Sequence, residues 1–454
     1  MLINEILPQN VSDELLLFVT YKRRWFYLFI ICLAQISNAM IWINFSPIAD
    51  IATQYYSVNY DAINWLSLIY MAVTIPFTLP STWIIDKIGI KSGMIIGSWL
   101  NALGSFIRVI STWSFLSIHS RFPIVLLGQF LCAVAQTYIL FIPTKFSFVW
   151  FSEKQRSLAN SIAIGSNYFG ILMGSILSPL IVKHKENISL LLYINVAPAL
   201  LAALFSVCIR TSNPPTPSCV AMTDVKQPFF VSLKKLLYSK SYIMLFIGCG
   251  FALACFNTLS TLVEQMMCPF GYDDMVVGFC LGYFIGAGTL GVLVFGYFAD
   301  KTGKLEEISK ILYGLSSLAY ITIVLLIINQ VPKYFLYLIF AIVGFVSLPI
   351  LPLSMDLSIE CTHPIAEATA TGINFMSSQI LGIIMVTVLP RFGRSLNEAE
   401  MLVQKCSVAH GVILDYTIPL YAMAIMMILT TIVYICCFKC DYKRRHFVPT
   451  EFQS

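Results

Sequence analysis

Apolar residues run along this chain in blocks of about twenty, the length that crosses about 30 Å of hydrocarbon as a helix, and short polar or charged stretches part them. Twelve blocks predict twelve spans, near residues 25–48, 62–85, 92–112, 122–146, 157–182, 188–209, 241–267, 275–299, 309–330, 333–356, 366–390 and 414–438. Within the blocks no alternation of apolar and polar residues marks barrel strands. Only helices and closed barrels satisfy the backbone in lipid, so the blocks read as helices. Composition agrees: 58% of the 454 residues are hydrophobic, 11% are charged and the mean hydropathy is +0.81. A water-soluble domain carries about a quarter charged residues. The expected fold class is an all-α polytopic membrane protein. The opening "MLINEILPQNVSDELLLF" lacks the basic start and small-residue cleavage site of a signal peptide, so the first span is expected to act as an uncleaved insertion signal.

Charge adds orientation. Of 28 Lys and Arg, nineteen fall in stretches on one side, eight on the other, and Lys145 sits near the end of a span. The positive-inside rule then places both termini and the 210–240 stretch in the cytosol; a plasma membrane is expected ahead of an organellar one, a preference that the charges themselves do not decide. This asymmetry accounts for the net charge of +5 without any nucleic-acid partner. The expected organisation is a cytosolic segment 1–24, a six-helix bundle 25–209, a linker 210–240, a second six-helix bundle 241–438 and a basic tail 439–454. The end of the linker, "PFFVSLKKLLYSK", spaces apolar residues helically with lysines between, which suits a short helix on the inner membrane surface.

Most of the thirteen cysteines read as small apolar residues. Cys268 and Cys406 fall in predicted exterior loops, where a disulfide is chemically allowed. Cys436, Cys437 and Cys440 adjoin the basic tail, a context suited to palmitoylation.

One signal recurs after the second span of each half: "TWIIDKIGIKSG" at 82–93 and "GYFADKTGKLEE" at 296–307, with Asp86 and Asp300 lying 214 residues apart. Gly89 and Gly303 allow tight turns between helices. Each acidic residue can meet a helix N-terminus or a basic neighbour at the membrane edge. Charged loop caps explain one copy easily and two matched copies poorly. The second copy resembles the loop motif of the major facilitator superfamily, with Gly296, Asp300, Lys301 and Gly303 in place; the first keeps Asp86, Lys87 and Gly89 but has Thr82 where the glycine would stand. The resemblance implies the major facilitator fold: two pseudo-symmetric six-helix bundles, a central site reached alternately from each side, and gating contacts at these loops. "YKRRWFYLFIICLAQISNAMIWINFSPIAD", "INWLSLIYM", "VWFSEKQRSLANSI", "STLVEQMM" and "ATATGINF" further resemble solute carrier family 49, the feline leukaemia virus subgroup C receptor-related group, most of all its major facilitator domain-containing protein seven branch.

Polar residues deep in spans nominate the cavity, because lipid-facing positions need no polar atoms. Asn38 and Trp42 are four apart in the first span and share a face. Asn257, Ser260, Thr261 and Glu264 form one stripe in the seventh span, with Phe256 beside it. Asn167 and Tyr168 lie mid-span in the fifth and Gln379 mid-span in the eleventh; Tyr168 and Gln379 are 211 residues apart, close to the loop repeat. Against this, tryptophans often anchor at interfaces, and intramembrane amides often only join helices, each worth about 0.6 kcal/mol. No Asp, Glu, Lys, Arg or His falls at the estimated midplane of any span, whereas proton-coupled carriers keep a titratable group there. A facilitator is expected, with an aromatic and amide-lined cavity suited to a small organic cation.

Relatives of this family are associated with choline, ethanolamine and haem. The resemblance implies that Trp42 and Gln379 match cavity residues of the family, while two positions depart: Asn257 stands for a seventh-span tyrosine and Tyr168 for a fifth-span glutamine. The cage is then either rearranged around Tyr168 or built for another solute. Haem is the main competing solute, although all five histidines fall in loops or at span ends. A receptor or scaffold in a transporter fold is a further alternative. No catalytic motif, metal site or cofactor is expected, and the partners expected are a small-molecule substrate and the lipid bilayer, around a monomer.

Overall fold

A computed structural model describes residues 21–216, 229–397 and 414–442, apart from the side chains at 50, 60, 61, 264 and 274. Among the described residues, twelve helices are long and apolar enough to cross a membrane. Spans 1 to 6 are Arg23–Ile48, Ala62–Lys87, Ile90–Ile110, Ile118–Trp150, Glu153–Ile181 and Lys185–Ser206. Spans 7 to 12 are Lys240–Val263, Met275–Thr302, Leu305–Ile328, Lys333–Thr362, Glu367–Phe392 and Thr417–Cys437. All twelve overlie the predicted blocks.

Local chemistry explains the breaks. Asn59 caps the helix of span 2 by accepting from Ala62 N at 2.9 Å, and Asp273 caps that of span 8 by accepting from Val276 N. Spans 4 and 10 are each interrupted at a matched depth. Span 4 runs as Ile118–Ile139 and Ile142–Trp150 with Pro143 opening the second piece. Span 10 runs as Lys333–Ser347 and Ile350–Thr362, with Pro349 at the junction. Proline cannot donate to the helical ladder but suits a first turn.

Spans 1 to 6 pack with one another, as do spans 7 to 12, and the halves meet through span 5 against span 8 and span 2 against span 11. A hydrophobic core runs through both bundles. Large apolar side chains such as Leu180, Leu290 and Leu318 point outward, more than 60% exposed, where lipid is their natural solvent. The linker does form a short helix, Phe229–Tyr238, with Phe230 and Tyr238 both 80% exposed. Cys268 is disulfide-bonded; Cys406 lies outside the described residues. Cys436 and Cys437 are exposed, but Cys440 is buried with its Sγ 2.6 Å from that of Cys361. The acylation expected of these three cysteines therefore narrows to the first two.

Candidate functional site: an interbundle clasp and an aromatic junction

At the lysine-rich end of the molecule, both repeat aspartates reach across to the other bundle. Asp86, at the end of span 2, accepts from Ala368 N at 3.2 Å, Thr369 N at 2.8 Å and Thr369 Oγ1 at 2.6 Å, all in the first turn of the helix Glu367–Val388. Asp300, at the end of span 8, accepts from Ser157 N at 2.9 Å and Leu158 N at 2.7 Å, in the first turn of Arg156–Ile181. First-turn amides have no intrahelical acceptor and sit at the positive end of the helix dipole, so a carboxylate is their natural cap. The caps here come from the opposite half of the chain. Ser157 and Leu158 precede Ala368 and Thr369 by 211 residues (368 − 157; 369 − 158), so the two clasps are images of each other. Gly89 at φ +115° and Gly303 at φ +67° turn the chain beyond each aspartate. Lys87 and Lys301 lie instead over the rings of Trp83 and Tyr297, at 5.0 and 6.0 Å.

The departure of Thr82 from the motif has a packing explanation. A Cβ on Gly296 of span 8 would collide with Ser161 of span 5, and a Cβ on Gly372 of span 11 would collide with Thr82 of span 2. Thr82 and Gly296 are 214 apart, while Ser161 and Gly372 are 211 apart. Both crossings therefore pair one glycine with one hydroxyl side chain, and the glycine has changed helices between the halves. Close approach needs a single small partner, whichever helix supplies it.

Deeper in, the halves meet at three rings. The ring of Tyr168 (span 5) stands edge-on to Phe256 (span 7), centroids 6.0 Å apart, and Phe256 stacks on Phe284 (span 8) at 5.6 Å. Tyr168 Oη is buried without a partner. Asn257 lies against span 11, where a Cβ on Gly382 would be 3.4 Å from Asn257 Nδ2 and 3.9 Å from Met71 Sδ of span 2. Gln379, one turn before Gly382, is 6% exposed and donates from Nε2 to Ser378 Oγ at 3.1 Å. Trp42 is half-buried and uses its indole N–H on the Ser67 carbonyl of span 2 at 3.3 Å, leaving its ring as the face it can offer.

Other predicted residues sit differently. Asn38 is fully buried within the first bundle, donating to Asn101 Oδ1 at 2.8 Å and the Cys132 carbonyl at 2.9 Å. It joins span 1 to spans 3 and 4, although it shares a helix face with Trp42 in the helical count. Asn167 donates to Gln35 Oε1 at 3.0 Å, and Gln35 in turn donates to the Ile139 carbonyl. Thr261 is exposed and bonds its own helix at Asn257 O, and Glu264 falls outside the described side chains.

Sequence reasoning passed over three participants. Lys145, the basic residue assigned to neither side, donates from Nζ to Asp86 Oδ1 at 3.1 Å and to the Ile85 carbonyl at 2.6 Å. Asp356 accepts from Asn160 Nδ2 at 2.8 Å, tying span 10 to span 5 beside the clasp. Phe284 completes the ring junction. The first two stand at polar positions near span ends, a signal that was visible; Phe284 is one of 33 phenylalanines and carried none.

Comparison with known proteins matches this architecture. Residues 31–386 match the Major Facilitator Superfamily. The chain is 34% identical over 432 residues to solute carrier family 49 member A3 of Xenopus tropicalis, spanning 94% of this chain and 89% of that one. It is 29% identical over 382 residues to the choline/ethanolamine transporter flvcr2a of Danio rerio, spanning 81% and 80%. Among solved structures, the proton:xylose symporter XylE bound to 6-bromo-6-deoxy-D-glucose superposes with a TM-score of 0.69 at 12% identity, covering 93% of this chain and 99% of that one, a likeness of fold alone.

Proposed function

Because the chain belongs to the major facilitator superfamily and, within it, to solute carrier family 49, we propose that it is an alternating-access facilitator for a small organic cation of the choline or ethanolamine kind. The observation that carries this reading is the junction of Tyr168, Phe256 and Phe284 between the bundles. Ring faces attract an ammonium group through their quadrupoles, and the attraction grows where water is excluded. Trp42 adds a further ring, while the amides of Asn257 and Gln379 offer oxygens to a solute hydroxyl. A choline/ethanolamine transporter among the relatives supports the solute class. On the positive-inside rule the clasped, lysine-rich end faces the cytosol, so this conformation is the one closed to the cytosol. Asp86 and Asp300 are the gating residues in this reading. Asn38 acts behind the cavity wall, fixing the span that carries Trp42.

Uptake of labelled choline and ethanolamine in transporter-deficient cells tests the proposal. Wild type is expected to raise uptake, and Phe256→Ala and Trp42→Ala each to lower it about tenfold or more at normal surface expression, the loss of a desolvated cation–π contact of roughly 2 kcal/mol being of that order, with Gln379→Ala lowering it less, through a lost hydrogen bond of about 1 kcal/mol. Dissipating the proton gradient is expected to leave uptake intact. Flat uptake across a panel of organic cations, or uptake of haem in their place, would overturn it.

A further inference from the structure

Arg108 lies in the last turn of span 3, towards the end of the molecule away from the clasp, and is 1% exposed. Its Nη2 donates to Asn44 Oδ1 at 2.9 Å, and its guanidinium stands over the Phe45 ring at 5.1 Å. The stem passes span 4 at Gly128, where a Cβ would lie 2.6 Å from Arg108 Cγ. Among the described residues, no carboxylate forms an ion pair with it. The negative end of a helix dipole offsets only part of the cost of burying a full positive charge.

The unpaired polar atoms nearby are mostly donors. Arg108 Nε and Nη1 are buried with no acceptor, and so is Asn44 Nδ2, while the hydroxyl of Tyr70 lies beside both the guanidinium and the Cys132 thiol. Against these three donor atoms stand two unpaired amide oxygens, Gln129 Oε1 on the residue after Gly128 and Asn38 Oδ1 on span 1. A buried positive charge with a surplus of hydrogen-bond donors is what a small anion requires. We propose that Arg108 is the centre of an inorganic anion site, taking a single halide-sized monovalent ion between spans 1, 2 and 3. A monovalent ion balances the one guanidinium; a multivalent oxyanion would leave excess charge in the enclosed site. The ion would hold Asn44 and Phe45, two and three residues beyond Trp42, and so set the end of span 1. The site does not depend on which solute the protein carries.

Thermal unfolding of the purified full chain, with sodium chloride exchanged for sodium gluconate at constant ionic strength, tests it. The unfolding temperature of wild type is expected to rise with chloride by about 3 °C near tenfold saturation, because a ligand bound only by the folded state stabilises it logarithmically. Bromide should act similarly and give an anomalous scattering peak beside Arg108 in crystals. Arg108→Gln is expected to lose the halide dependence, and Arg108→Lys to keep a weakened one. If Arg108→Gln does not fold, Asn44→Ala keeps the charge, removes the Nδ2 donor and releases Arg108 Nη2 from Asn44 Oδ1, and is expected to shift the chloride midpoint several-fold. A flat wild-type titration, undiminished halide dependence in Arg108→Gln, or an unmoved midpoint in Asn44→Ala overturns the proposal.

Discussion

The two clasps are images of each other in sequence position yet unequal in chemistry. Asp86 accepts four hydrogen bonds, one of them from a lysine ammonium whose side chain is 7% exposed. Asp300 accepts from two backbone amides and the Ser157 side chain, with the Arg156 guanidinium near enough to act on it but not paired with it directly. Symmetry therefore fixes where a carboxylate meets a helix N-terminus but not how firmly it is held. The first half of the chain supplies a buried ion pair; the second supplies a cap. Removing one partner of a buried pair costs about 3–5 kcal/mol, whereas losing a cap costs about 0.5–2 kcal/mol.

The largest effect is expected from Asp86→Ala, which strands Lys145 in a buried site and uncaps the helix of span 11. A bias of about 3–5 kcal/mol moves a two-state equilibrium by about a hundredfold or more. Cysteine-accessibility labelling from the lysine-rich side should then find the interface open, with uptake reduced to a small fraction of wild type; unchanged labelling would show that the clasp does not hold this end closed. Gly296→Ala should come next, because its new methyl group collides with Ser161 and overpacking typically costs about 1–3 kcal/mol. Adding Ser161→Gly should restore thermal stability, and failure of that rescue would break the account of the exchanged glycine. Asp300→Asn should be smaller, on the order of 1 kcal/mol, since an amide oxygen still accepts one of the two amides. If it equals Asp86→Ala in labelling and uptake, the inequality of the clasps is wrong. Lys87→Ala should be smallest, within about 0.5 kcal/mol in thermal unfolding, because that side chain only overlies a ring at the surface.

Legibility in the sequence followed the range of the interaction. Spans depend on local runs of apolar residues long enough for hydrocarbon, and all twelve overlie the predicted blocks. The repeat was legible because duplicated loops keep duplicated residues, Asp86 with Asp300 and Gly89 with Gly303. The helical count placed Asn38 and Trp42 on one face, yet a face is about 100° wide. Within it Asn38 turns to spans 3 and 4, while Trp42 reaches span 2. Thr82 departs from the motif in sequence alone, and the partner that accounts for it, Gly372, lies 290 residues away.

The sequence by itself determined the number of helices, their membrane solvent, the duplication of the two halves and the residue types available for a cavity. Each follows from composition or periodicity within about twenty residues. Only the tertiary structure decided which carboxylate meets which amide, that Lys145 belongs to Asp86, that three rings converge between the bundles, and that Arg108 is enclosed with no counter-charge among the described residues. Those are contacts between segments far apart in the chain, and the spacing of residues along one helix does not say which neighbour it will face.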